Sequence, residues 1–425
     1  MSVMGGGADT VAAAVTAAEG AAAHGATHGA AAPGHGAEAA GSIAGASVAS
    51  GLWTFPTLVF SAFVLGWAAE AAQFVFSQGL SLAILAWLQT LPEFAVEAVI
   101  AWNQNVPLMT ANFTGSLRLL VGLGWPLIFI TRAVFGVKKT GLRATVITLE
   151  KEHAVEVVSL FVPILYFVII YFKASLNLID AAILLAMYVA YLQVLARIPP
   201  KESESLEDIP RVSRWALTRP GRWKLVAIFG LFLAGGLILY FVAHPFYQAM
   251  LGMAVTLGVS QFVFVQWVAP FLSEFPEKVT AFNWARTGSK ASLALMNMVS
   301  SNINQWTVLA AMIPIVYSIS RGEPSSIPFD AYHRTEILLT VIQSFLGMLL
   351  LANLEFRWYE AIGLFVLWAA QFALPHVREE IILVYAAWCV FELGLAVAGR
   401  KQLRAFPTFL ALWRAHAKPA GAKRR

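Results

Sequence analysis

The sequence predicts an all-α polytopic membrane protein of about 10–11 transmembrane helices, set out as two five-helix repeats of inverted topology. Three observations predict it. The 425 residues are 59% hydrophobic and 12% charged, whereas soluble domains carry about a quarter charged residues. Apolar stretches of about 20 residues, enough to cross a bilayer, recur along the chain. A proline followed by glutamate occurs twice inside such stretches, as Thr90-Leu91-Pro92-Glu93 and as Glu274-Phe275-Pro276-Glu277.

Residues 1–52 are rich in Ala and Gly and hold no Lys or Arg. They read as a disordered tail in which His24, His28 and His35 are scattered. Spanning segments follow at 57–76, 79–102, 107–131, 154–172 and 176–196, placing a first repeat at 53–196. Residues 197–222 are the longest hydrophilic stretch and read as a cytoplasmic linker. Further segments at 223–243, 258–284, 290–319, 335–354 and 358–375 place a second repeat at 223–375. An eleventh segment at 380–399 and a basic tail make up residues 376–425.

Lys and Arg set the expected orientation. Of the 29, only Lys173, Arg321, Arg334 and Arg378 fall in the loops of one side, and Arg118 and Lys278 fall inside segments. The rest lie in the loops and tail of the other side, which the positive-inside rule assigns to the cytoplasm. The N-terminus is then outside and the C-terminus cytoplasmic, in what reads as a bacterial inner membrane. The second and seventh segments, which carry the Pro-Glu motifs, run in opposite directions.

A carboxylate at bilayer depth costs roughly 2.5–3.5 kcal/mol on insertion scales, so two in matching places point to an ion pathway. Proline lacks an N–H and clashes with the carbonyl four residues back, so Pro92 and Pro276 should break their helices and free the Leu88 and Leu272 carbonyls. Each motif is followed by an amide-bearing segment, Asn112-Phe113-Thr114-Gly115-Ser116 and Asn297-Met298-Val299-Ser300-Ser301. Hard cations take oxygen ligands. Glu93 and Glu277 offer carboxylates, Asn112 and Asn297 carbonyl oxygens, and Thr90, Ser273, Ser300 and Ser301 hydroxyls. Glu274 lies three residues before Glu277 on the same helix face. Two carboxylates that close repel, which favours a proton on one of them; the other reading of Glu274 is a salt bridge with Lys278, four residues on.

These residues resemble the α-repeats of the sodium/calcium exchanger superfamily of cation/cation antiporters, in a divergent prokaryotic-type form. The resemblance rests on Thr-Leu-Pro-Glu at 90–93 with Asn112-x-x-Gly-Ser, and on Phe-Pro-Glu at 275–277 with Asn297-x-x-Ser-Ser-Asn. It implies alternating access at one midplane site, with calcium exchanged for sodium or protons and Glu93, Glu277, Asn112 and Asn297 as ligands. Three positions depart from the family pattern: Gln89 stands where threonine is usual, Glu274 where serine is usual, and Leu117 where a second asparagine is usual. Arg118, beside Leu117, offers a partner for Glu70 in the first segment.

The expected partners are the bilayer and the inorganic cations Ca2+, Na+ or H+, with no cofactor and no nucleic acid. The single cysteine, Cys389, excludes an internal disulfide. A membrane-embedded enzyme using Glu274 and Glu277 as acid and base is the alternative of a different class. A relative that binds cations without moving them is the third reading.

Overall fold

The structure is a computed structural model that describes residues 36–72, 74–75, 81–140, 145–197 and 209–416. Two compact units are distinguished, Met1–Ala46 and Ser47–Arg425. The three tail histidines and residues 198–208 of the linker lie outside the described residues.

The first repeat opens with α1 (Gly36–Ala72), so residues 36–52, expected to be a tail, are helical. The second segment is two helices, α2 (Ser81–Gln89) and α3 (Leu91–Trp102). The third is α4 (Val106–Leu119) and α5 (Trp125–Thr140), joined by a π-turn at Leu120–Gly124. After strand β1 (Val146–Thr148) come α6 (Ala154–Lys173), β2 (Ser175–Leu176) and α7 (Leu178–Leu195). A short helix α8 (Arg211–Leu217) lies in the linker.

The second repeat copies this order. It runs α9 (Trp223–Thr256), the broken pair α10 (Gln261–Ser273) and α11 (Phe275–Thr287), then α12 (Ala291–Asn304) and α13 (Ala310–Arg321) joined by a π-turn at Gln305–Leu309. Strand β3 (Ile327–Pro328), α14 (Ala331–Leu351), β4 (Glu355–Arg357) and α15 (Trp358–Ala373) follow. Helices α16 (Arg378–Val397) and α17 (Ala405–His416) complete the described residues.

Eight of the described helical stretches are long and apolar enough to cross a membrane. The two broken segments and the 16-residue α15 supply the other three predicted passages. Exposed apolar side chains such as Phe229, Leu233, Leu237, Tyr240 and Phe241 on α9 suit a lipid-facing surface.

Local chemistry explains the element ends. Asn105 caps α4 by accepting from Leu108 N at 3.1 Å. Asp330 does the same for α14 through His333 N at 2.8 Å. Asn177 and Asp180 form a capping box on α7. At the matching end of the second repeat, Arg357 N donates to Glu360 at 2.7 Å.

The repeats are interlocked. Helix α2 packs on α12 and α3 on α13, while α10 packs on α4 and α11 on α5. The second segment therefore runs parallel to the eighth, and the third parallel to the seventh. The three residues between α3 and α4 reverse the chain, so the second and seventh segments are antiparallel, as the Lys and Arg distribution predicts. The strands obey the same exchange. Strand β1 pairs with β4 in register Ile147↔Phe356, and β2 pairs with β3 in register Leu176↔Ile327. These short pairs were not foreseen, being too brief to show an alternating pattern.

Candidate cation site at the paired helix breaks

Both breaks have the same backbone. Thr90 sits at φ −85°, ψ −4° and Glu274 at φ −92°, ψ 5°, a sparsely populated region outside regular helix. The proline two residues on occupies the first turn of the new helix in each case, where its missing N–H would have had no helical partner. Glu93 and Glu277 thus stand in the first turns of α3 and α11, facing the positive end of each helix dipole.

Every predicted site residue is buried: Thr90, Glu93, Asn112, Ser273, Glu274, Glu277, Asn297, Ser300 and Ser301. Asn112 donates its amide to Glu97 Oε2 at 2.6 Å, and Asn297 donates its amide to Gln89 Oε1 at 3.1 Å. The Oδ1 atoms of both asparagines have no hydrogen-bond partner, nor do Glu93 Oε1 and both oxygens of Glu277. Buried acceptors without donors are uncommon and call for an explanation. Ser116 and Ser301, at matching positions, face Glu93 and Glu277.

The other hydroxyls have partners of their own. Thr90 donates to Trp87 O at 2.8 Å and Ser273 to Ala269 O at 2.9 Å, which leaves their lone pairs for a ligand. Ser300 is 3.2 Å from the Tyr191 hydroxyl.

Glu274 takes the salt-bridge reading, paired with the lysine four residues on. Lys278 Nζ lies 2.5 Å from its Oε2, and Gln305 Nε2 lies 2.9 Å from its Oε1. Gln305 also donates to Glu93 Oε2 at 2.7 Å. Its place is fixed by the π-turn and by Trp306, whose ring centroid is 4.5 Å from that of Phe167 and 5.8 Å from that of Phe113. Gln305 was missed in the sequence, although a signal was there. It lies eight residues after Asn297, on the face that carries Asn297 and Ser301.

Arg118 does not pair with Glu70. It binds Glu336 at 2.5 Å, and Glu336 also takes Arg378 at 2.7 Å and Gln266 at 2.8 Å. Glu70 accepts from Ser213 at 3.1 Å and Thr280 at 3.2 Å. Leu117 keeps a role despite its apolar side chain. Asn302, at the equivalent position of the other repeat, donates to the Leu117 carbonyl at 3.4 Å. Equivalent residues touch only close to the pseudo-twofold axis, so the site is central.

Among the described residues, no group of three or more His, Cys, Asp or Glu is gathered closely enough to hold a metal ion. A cation at the breaks would draw on amide and hydroxyl oxygens as well as carboxylates.

Broken antiparallel helices with buried carboxylate and amide oxygens at the repeat interface are the architecture of an inverted-repeat membrane transporter. The chain belongs to the sodium/calcium exchanger protein family, whose sequence pattern matches residues 46–196 and 227–375. A crystal structure of the H+/Ca2+ exchanger CAX is similar at 30% identity and a TM-score of 0.78, covering 87% of this chain and 92% of that one. The sodium-calcium exchanger NCX_Mj, soaked with 100 mM Na+ and 10 mM Sr2+, is similar at 20% identity and a TM-score of 0.52, covering 77% of this chain and 98% of that one. No curated protein matches the chain.

Proposed function

We infer that the chain is a secondary active cation antiporter that exchanges calcium for protons or sodium by alternating access at the paired breaks. Of the two coupling ions we propose protons. The observation that carries the reading is the matched geometry of Asn112 and Asn297, each with its amide N–H engaged and its carbonyl oxygen left without a partner. Calcium takes six to eight oxygens. Glu93, Glu277, Asn112 and Asn297 would supply the first of these, with Thr90, Ser273, Ser300 and Ser301 as further donors. Carboxylates enclosed in protein need a compensating charge. A calcium ion supplies it in one half of the cycle, and protons on Glu93 and Glu277 supply it in the other.

The proton reading is supported by the 30% identity to an H+/Ca2+ exchanger over most of both chains. Glu274, already paired with Lys278, stays in the site as a fixed group. No cofactor beyond the transported ions is invoked. We place the protein in a bacterial inner membrane, with the N-terminus outside and the C-terminal helix α17 on the cytoplasmic side. The enzyme reading loses its support here, because Glu274 is held by Lys278 and Gln305 and the family is one of exchangers.

Radiolabelled calcium uptake into proteoliposomes tests the proposal, with outward proton and outward sodium gradients imposed separately. Uptake driven by the proton gradient and abolished by Glu277→Gln is the expected result. Uptake driven by sodium alone would overturn the coupling ion. No uptake from folded protein under either gradient would leave the non-transporting relative.

A further inference from the structure

The repeats differ at two positions that act together. With Glu93 matched to Glu277, Thr90 corresponds to Glu274 and Phe94 to Lys278. The second repeat therefore adds a carboxylate at the break and an ammonium one turn later. The Lys278 side chain is 6% exposed and that of Glu274 0%. Glu274 has one oxygen on Lys278 and the other on Gln305. Glu93 and Glu277 each keep at least one oxygen without a donor. Of the three buried carboxylates at the breaks, Glu93, Glu274 and Glu277, Glu274 alone among the described residues holds an ammonium. The guanidinium of Arg118 is committed to Glu336.

We propose that Lys278 is a tethered cation of the translocation site, filling beside Glu274 the place that a proton or monovalent cation from solution would otherwise take. Lysine suits this role, as a compact point charge on a flexible stem. A buried ion pair that loses one partner leaves an uncompensated charge, so Glu274 without Lys278 must recruit a replacement from solution. That replacement would be released and rebound with each calcium cycle. Lys278 thereby holds the coupling at two cations per calcium, one each for Glu93 and Glu277, where three carboxylates alone would use three. This inference rests on the antiporter reading above.

The full chain in proteoliposomes tests it. The readout is the calcium ratio at which net flux stops, measured against imposed pH or sodium gradients and against a potassium diffusion potential set with valinomycin. The wild-type ratio should change about 100-fold per tenfold gradient of coupling ion and ignore the potential. Lys278→Gln should raise this to about 1,000-fold and make it depend on potential, and Glu274→Gln should lower it to about tenfold. The double variant Glu274→Gln/Lys278→Gln, which removes the pair as a unit, should return to the wild-type ratio. It should do so even where both single variants lose flux, since charge balance is what the site requires. An unchanged ratio in every active single variant would reduce the pair to a structural salt bridge and overturn the proposal, as would loss of flux in the double variant. A wild-type protein that moves no calcium under either gradient would sink the antiporter reading itself, and this proposal with it.

Discussion

Gln305 Nε2 lies 2.7 Å from Glu93 Oε2, a contact that joins the π-turn of one repeat to the helix break of the other. The same amide nitrogen reaches Glu274 at 2.9 Å. One neutral side chain thereby orients a carboxylate from each half. Hydrogen bonds to charged groups contribute about 1.5–3 kcal/mol each. Gln305→Leu should therefore raise the calcium concentration for half-maximal uptake about 10–100-fold. Uptake measured over a range of calcium concentrations checks this, and an unshifted half-saturation would reduce Gln305 to a packing residue.

The two asparagines should fail alike. Asn112→Leu and Asn297→Leu each remove a carbonyl oxygen from the site and free a partner, Glu97 or Gln89. Each should cut calcium flux at least about tenfold, the cost of roughly one lost buried polar interaction. Parallel flux assays with a matched amount of folded protein test the pair. A large loss in only one of them would show that the repeats do not contribute equally.

Gly115 packs against the backbone of α10. A Cβ there would come within 1.9 Å of the Gln266 carbonyl oxygen. That neighbour is backbone and cannot swing aside. Gly115→Ala should destabilise the protein by about 1–3 kcal/mol, the usual range for overpacking. Gly136→Ala meets nothing within 4 Å and serves as the control. Thermal unfolding in detergent compares them, and equal midpoints would show that the two helices separate freely.

The Arg118–Glu336–Arg378 cluster joins the third segment of the first repeat to α14 and α16. Glu336→Gln would leave two guanidiniums without their carboxylate. Removing one member of a buried ion pair typically costs about 3–5 kcal/mol. A marked drop in thermal midpoint is expected. A variant as stable as the parent would show that the guanidiniums find water or the neighbouring glutamines instead.

Much of the arrangement was legible because the membrane simplifies the rules. Backbone groups in lipid must pair within their own segment, so the helical polytopic fold and its inverted repeat follow from apolar length and the doubled Pro-Glu motif. The breaks were legible too, since Pro92 and Pro276 act through local sterics. Three features were not. The reach of α1 back to Gly36 was hidden by small residues without a spanning pattern. The β1–β4 and β2–β3 pairs join segments far apart in sequence. The partners of Glu70 and Arg118 were misjudged because adjacency along the chain says nothing about which helices pack together.

The sequence by itself determined the class of protein, the inverted pair of halves and which polar residues fall inside apolar segments. Composition and period carry that information, since burying a carboxylate or an amide in an apolar segment is costly wherever the segment ends up. Only the tertiary structure decided the pairings. It engaged the Asn112 and Asn297 amide N–H groups with Glu97 and Gln89 and left their buried carbonyl oxygens without a partner. It also brought Gln305 to Glu93 across 212 residues of chain. Hydrogen bonds and ion pairs depend on distances of a few ångströms, and across repeats those distances are set by how the helices pack.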